Sequence, residues 1–309
     1  MESQADHDLE RRFGGLRRLF GDAGYERLRA AHVVVVGVGG VGSWVAEALA
    51  RSGVAALTLI DLDQVSESNV NRQIQAVTST IGQAKVDALR DRIAQIHPGC
   101  AVRCIEEFVE EGNWPALLQA SAPGSGPSAP PVDAIVDACD QVRAKALIAA
   151  WALETGAPAV FSGAAGGKRR PQLVECDDLS KVTHDPLLAS LRQRLRKFHG
   201  GPRTGDFGLR CVFSREPVVA PPAAVCLPGD GPDDASATND GTLNCHGYGS
   251  AVTVTATFGL VAASEAIDAI VTGRGVRRRI GAEASHRTPT PHASQKSVED
   301  ASTSGMLPI

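Results

Sequence analysis

Residues 32–43 read His32-Val33-Val34-Val35-Val36-Gly37-Val38-Gly39-Gly40-Val41-Gly42-Ser43. The β-branched run from Val33 to Val36 suits a strand buried on both faces of a parallel sheet. Gly37, Gly39 and Gly42, with Gly40 between them, fit GxGxxG. Small residues there permit a tight turn and bring the first N–H groups of the next helix to phosphate oxygens. That helix begins after Gly42 and carries Val45, Ala48 and Leu49 on one stripe. A second strand, Ala55 to Asp63, holds Asp61 19 residues beyond Gly42, where a carboxylate accepts hydrogen bonds from ribose hydroxyls. Strand, glycines, helix, strand and acid in this order predict a nucleotide site. They leave open NAD, FAD or ATP; the bland alternative is a structural turn with a solvated aspartate.

Outward from this unit the pattern keeps alternating. Lys85 to Ile96 has helical spacing (Val86, Leu89, Ile93) and stops before Pro98. Ala101 to Ile105 and Ala134 to Ala138 read as strands, Ala144 to Glu154 as a helix and Pro158 to Phe161 as a short strand. The predicted fold is α/β: a doubly wound, Rossmann-like, mostly parallel sheet flanked by helices, with an N-terminal helical arm and a C-terminal insertion. The expected divisions are an arm over 1–30, a nucleotide-binding core over 31–163 and a substrate-facing portion over 164–280 completing the same domain. A disordered tail is expected over 281–309, rich in Ser, Thr and Pro. Ser121 to Pro131 and Pro217 to Gly241 are Pro/Gly-rich loops. Gly249 to Ala263, apolar but short for a bilayer, is expected to be a buried helix or strand-to-helix element.

Composition narrows the class. Of 309 residues, 43% are hydrophobic and 21% charged, enough for a substantial core and against wholesale disorder. Aromatics supply 4%, so small and branched aliphatics fill that core. With Lys plus Arg at 31 and Asp plus Glu at 35, the formal charge is −4. Any nucleic-acid contact would therefore need a local basic patch. The N-terminal stretch has no apolar segment of a secretory signal. Cys100 and Cys104, the closest pair of the seven cysteines, do not make a CxxC zinc motif. Reduced thiols and a cytoplasmic location are the expectation.

The residues after Asp61 separate the nucleotides. Asp63, Asn69, Asn71, Arg72 and Gln73 lie in a polar run beyond the strand's carboxyl end, where ligands of open α/β sheets bind. Amides and a guanidinium suit a triphosphate better than a dinucleotide. Lys85 opens a helix and Asp137 ends a later strand; two cations and a strand-end carboxylate suit phosphates with Mg²⁺. Singly, Lys85 reads as a solvated helix residue and Arg72 as a surface ion pair. Their coincidence at one sheet edge carries the expectation.

Gly37–Ser43, Asp61-Leu62-Asp63, Ser68-Asn69-Val70-Asn71-Arg72-Gln73, Gly82-Gln83-Ala84-Lys85 and Asp137-Ala138-Cys139-Asp140 together resemble the adenylation domain of the ubiquitin-activating-enzyme superfamily. This superfamily includes the bacterial enzymes that adenylate sulfur-carrier proteins. The resemblance covers roughly residues 10–270. It implies ATP and Mg²⁺, with a carboxylate attacking the α-phosphorus to give an acyl-adenylate and pyrophosphate. It further implies that Asp61 holds the ribose and that Gly39–Gly42 approach the phosphates. Asn69, Arg72, Gln73 and Lys85 would bind the triphosphate, and Asp137 would hold Mg²⁺. Arg12 resembles an N-terminal arginine that reaches into a partner subunit's site, implying a homodimer; a flexible basic arm is the alternative.

Other motifs select a branch. Gly163–Gly167, Asp177–Lys181, Asp185-Pro186-Leu187, Cys211–Ser214 and Val252–Leu260 resemble the tRNA threonylcarbamoyladenosine dehydratases. That branch implies a tRNA substrate whose threonyl carboxylate is adenylated, after which a nitrogen of the same side chain displaces AMP and closes a ring. Sulfur-relay partners (a cysteine desulfurase or sulfur acceptor) are a further expectation, and a membrane is not. Arg192, Arg194, Arg196 and Lys197, with Lys168, Arg169 and Arg170, form a candidate tRNA phosphate patch, against a solvated helix face. Cys245 is either a thioester-forming nucleophile or an ordinary buried thiol. The rival functions are activation of a ubiquitin-like carrier's C-terminal carboxylate, disfavoured by the missing zinc cysteines, a catalytically silent scaffold, and an NAD oxidoreductase.

Overall fold

The computed structural model describes residues 4–119, 131–219 and 248–274. Two helices, α1 (Gln4–Phe13) and α2 (Gly15–Ala30), precede β1 (His32–Val36). They are followed by α3 (Gly42–Arg51), β2 (Ala56–Ile60), α4 (Lys85–Ile96), β3 (Ala101–Ile105) and the short α5 (Ala116–Gln119). Next come β4 (Ala134–Asp137), α6 (Val142–Thr155), β5 (Ala159–Ser162), β6 (Val174–Asp178), α7 (Pro186–Phe198), β7 (Arg210–Ser214) and α8 (Val252–Thr272).

The strands form one seven-stranded sheet in the order β3-β2-β1-β4-β5-β7-β6. Every pair is parallel except β6 with β7. All five residues of β1 are buried, as expected of a strand with neighbours on both edges and helices on both faces. Chain order reverses between β1 and β4, so their carboxyl ends diverge into the crevice where ligands of such sheets lie. Val36 pairs with Ile60 on one side and Asp137 on the other, which brings three strand ends to one level. The doubly wound Rossmann-like expectation therefore holds.

Two aliphatic cores cover the faces. One contains Val33, Val35, Leu57, Leu89 and the buried side of α8. The other contains Val34, Ile135, Phe161, Leu188 and Leu191. The apolar run after Gly249 becomes α8, which buries Val254, Phe258, Ala262, Ala266 and Ile270. Although long and apolar enough to cross a membrane, α8 packs against α3, α2 and the sheet. Gly259 makes this possible: a Cβ there would stand 2.6 Å from the Val41 carbonyl oxygen and 2.7 Å from Trp44 Cβ. The strand expected over 55–63 is shorter, because the chain turns out after Ile60. Asp61 and Asp63 thus lie beyond the strand, in the crevice. β6 and β7 were not predicted as strands: β6 is an edge strand of acids and a cysteine, with little apolar alternation to reveal it. The expected tail, Cys245 and most of the two Pro/Gly-rich loops lie outside the described residues.

Candidate nucleotide and adenylation site

At the carboxyl edge of β1, β2 and β4 lies a cavity of about 480 Å³, in the size range of small-molecule sites. Its floor is the turn after β1. Gly37 has φ +78°, and a Cβ there would stand 2.8 Å from the Cys139 backbone nitrogen. Only glycine fits both demands. A Cβ at Gly42 would overlap the Gly37 carbonyl oxygen. Gly42 therefore closes the turn, while Gly37, Gly39 and Gly40 line the cavity. Gly40 faces Arg72, whose Cγ would lie 3.3 Å from an added Cβ. The glycines thus keep open a cradle of bare backbone in front of a cation.

Asp61 is fixed at the cavity wall by backbone donors. The Val38 N–H donates to its Oδ2 at 2.7 Å, and the Asp63 N–H donates to its Oδ1 at 2.9 Å. Burial raises its carboxyl above the usual range, opposed by the nearby Lys85 charge and these two hydrogen bonds. Lys85 is buried at the first position of α4, and its Nζ donates to Asp63 Oδ2 at 2.6 Å. Asp63 itself is exposed, so this pair holds the ammonium at the rim without neutralising it in a dry site.

The segment after β2 is tied down by its own side chains. Asn69 Oδ1 accepts from the Ser66 N–H at 3.1 Å, capping a short 3₁₀ turn over Glu67–Asn69. The Arg72 carbonyl accepts from Trp44 Nε1 at 2.9 Å, and its guanidinium donates to the Ser68 carbonyl at 2.6 Å. Asn69, Arg72 and Gln73 line the cavity with Lys85 and Asp61. Asn71 is turned away from it, donating to the Ser250 carbonyl at 3.0 Å and joining this segment to the start of α8. Thr255, one turn into α8, completes that wall.

Asp137 does not occupy the place expected of it. Its side chain is wholly buried and absent from the cavity lining. Its Oδ2 accepts from Lys145 Nζ at 2.9 Å and its Oδ1 from the Cys139 N–H at 3.1 Å. A carboxylate with both oxygens engaged in the interior anchors the turn after β4, and the residue expected to hold Mg²⁺ is not among those that line the cavity. Asp140, three residues on, is exposed and lines the cavity. Sequence reasoning missed Lys145, although a lysine on the apolar stripe of α6 was itself a sign of a buried partner. Cys139 also lines the cavity, but burial and then Asp137 push its thiol well above the ordinary value, which makes it a poor nucleophile.

Arg12 is not at this cavity. Its Nε donates to Asp8 Oδ2 at 2.8 Å and its Nη1 to the Ile96 carbonyl at 3.0 Å, at the far end of α4. Lys168 leaves the expected basic patch, since its buried Nζ donates to the His184, Ser214 and Glu216 carbonyls at 3.1, 3.1 and 2.9 Å. Arg169 and Arg170 remain exposed.

The donor set fits a nucleoside triphosphate: bare backbone, two cations, buried amides and a wall carboxylate. A cluster of three or more metal-ligating side chains is absent among the described residues. Mg²⁺ needs no such cage, because it takes one or two carboxylates together with phosphate oxygens, and Asp140 is placed to be one.

Comparison with known proteins agrees with this geometry. The tRNA threonylcarbamoyladenosine dehydratase of Escherichia coli (strain K12) is 41% identical over 261 residues, 83% of this chain and 92% of its own length. The enzyme of the same name from Haemophilus influenzae is 38% identical over 268 residues, 85% of this chain and 95% of its own. The crystal structure of the Escherichia coli enzyme in complex with ATP superposes with a TM-score of 0.72 at 36% identity, covering 90% of this chain and 100% of that one. The ThiF family model matches residues 14–298, a span that includes the glycine cradle, the strand-end acids and the rim cations, and the chain belongs to the ThiF family.

Proposed function

We propose that this protein is an ATP-dependent dehydratase of threonylcarbamoyladenosine in tRNA, acting by adenylation. The observation that carries the reading is the convergence of the glycine cradle, Asp61, Arg72 and Lys85 on one cavity. It is supported by a likeness to the Escherichia coli dehydratase that runs over 83% of the chain.

In this reading Asp61 accepts the ribose hydroxyls, and the backbone at Gly39 and Gly40 lies along the phosphates. A carboxylate oxygen of the substrate bonds to the α-phosphorus while the bond to the pyrophosphate oxygen breaks. Arg72 and Lys85 face the charge that grows on the phosphoryl oxygens, a placement worth about 10²–10³ in rate for each donor. Mg²⁺ would neutralise phosphate charge with Asp140 as its protein ligand. A nitrogen of the same threonylcarbamoyl group then attacks the activated carbonyl carbon, AMP leaves, and the proton lost from nitrogen passes to solvent. Ring closure is intramolecular, so proximity supplies the second step and Cys245 has no obligatory part in it. Arg12, pinned away from its own cavity, would act on the site of a second copy, which makes the working form a homodimer.

Incubation of the protein with ATP, Mg²⁺ and tRNA carrying threonylcarbamoyladenosine tests the proposal. The expected result is a nucleoside lighter by one water and one AMP released per ring closed. AMP release without a change in nucleoside mass would remove tRNA dehydration while leaving adenylation in place.

A further inference from the structure

From Pro186 to Gly205 the chain has five Lys or Arg residues and not one acid, within a protein of net charge −4. This stretch is α7 and the turn after it. Asp185 caps the helix: its Oδ1 accepts from the Leu188 N–H at 3.0 Å, and its Oδ2 accepts from the Ala164 N–H at 2.9 Å. Ala164 and Leu187 both line the nucleotide cavity. The start of α7 is therefore fastened to the cavity wall, and the helix runs from there to Phe198, about 18 Å away at 1.5 Å per residue.

The cations on α7 are not equivalent. Arg192 is spent on the Leu179 and Val182 carbonyls, and Arg196 on those of Pro202 and Arg203. Arg194 and Lys197 instead lie against the ring of Phe198, at 5.0 and 4.9 Å from its centroid. Phe198 is 57% exposed at the helix end, while Leu187, Leu188, Leu191 and Leu195 fill the buried face of the same helix. An exposed aromatic flanked by cations, on a stretch of chain without acids, is poor protein surface and good RNA surface. Unpaired bases of RNA loops stack on aromatic rings while Lys and Arg take the phosphates.

We infer that Phe198 is a stacking platform for an unpaired base of the tRNA loop, with Arg194 and Lys197 on the adjoining phosphates. The inference rests on the tRNA reading of the nucleotide site and adds to it where the loop lies, along α7 from the cavity mouth to the helix end.

Binding of threonylcarbamoyladenosine-containing tRNA to the full chain, measured by fluorescence anisotropy across a salt series, tests it. Phe198→Ala should weaken binding roughly 5- to 100-fold, the range of losing one base–aromatic stack. The slope of log Kd against log salt should be unchanged, because no phosphate contact is lost. Arg194→Ala and Lys197→Ala should each reduce that slope by about 0.7–0.9. Phe198→Trp should bind at least as tightly as the wild type and add a tryptophan signal that tRNA quenches. ATP affinity should be equal in all variants. Wild-type affinity in Phe198→Ala, or an unquenched Phe198→Trp, overturns the inference while wild-type dehydration still stands. Should the wild type neither bind nor dehydrate tRNA, both readings fail together.

Discussion

Asp137 Oδ2 and Lys145 Nζ lie 2.9 Å apart, with both side chains at 0% exposure. Burial alone would strip the charge from Lys145, but Asp137 outweighs it and holds the ammonium above its ordinary value. The pair fastens the last residue of β4 to the first turn of α6, and so fixes the turn from which Asp140 reaches the cavity. Removing one partner leaves a buried charge uncompensated, at a cost of about 3–5 kcal/mol. Lys145→Met and Asp137→Leu should each lower the urea midpoint strongly. The double variant should recover much of that loss, and additive losses would show that the two groups do not act as a pair.

Asp140→Asn should do the opposite. Its side chain is exposed, so stability should stay within about 0.5 kcal/mol of the wild type. The Mg²⁺ concentration needed for half-maximal AMP formation should rise by on the order of tenfold or more. An unchanged Mg²⁺ titration would take Asp140 out of the metal site.

Lys85→Ala should abolish AMP formation, by about 10²–10³ at least. Its ion-pair partner Asp63 is 57% exposed and is left in water, so the thermal midpoint should move little. AMP release at the wild-type rate would remove Lys85 from the chemistry.

Mixing Arg12→Ala with Lys85→Ala protein tests the dimer. Arg12 sits at the Ile96 end of α4 and not at its own cavity. A hybrid dimer in which Arg12 crosses over would contain one intact site of two, and half the dimers of an equal mixture are hybrids, so activity should return towards about a quarter of the wild type in a mixture of two inactive variants. No recovery would confine Arg12 to its own chain.

His97 predicts a pH dependence of stability. It is buried at the end of α4, edge to face with Phe13 at 4.7 Å and facing Arg29 and Arg12. Burial, then the Arg29 and Arg12 charges, lower its pKa from 6.5 to about 4. The unfolded chain therefore binds a proton that the folded one refuses between those values. Stability should fall by on the order of 3 kcal/mol as pH drops from 6.5 towards 4, and should level off below. His97→Gln should flatten that limb of a Tm-against-pH curve; an unaltered limb would exclude His97 as its source.

The outline of the fold and the nucleotide was readable in the chain, because both depend on neighbours in sequence. Four valines, a glycine turn and an acid just past the next strand dictate a strand, a helix start and a carboxylate at the cavity wall through local geometry. That Arg72 and Lys85 line the same cavity was legible for the same reason, since both follow β2 and the topology brings them to one edge. What the chain could not tell by itself was which of two aspartates in Asp137-Ala138-Cys139-Asp140 lines the cavity. Strand pleating and the burial of Lys145 on α6 decide that, and they depend on a packing partner eight residues away on another element. Likewise every lysine and arginine in residues 168–203 carries the same charge in sequence. Only packing separates Lys168, Arg192 and Arg196, which satisfy buried or loop carbonyls, from Arg194 and Lys197, which remain beside an exposed ring. Sequence sets the charges, and the tertiary structure decides which of them are spent on the protein itself, because a buried carbonyl must be paired before a ligand can be.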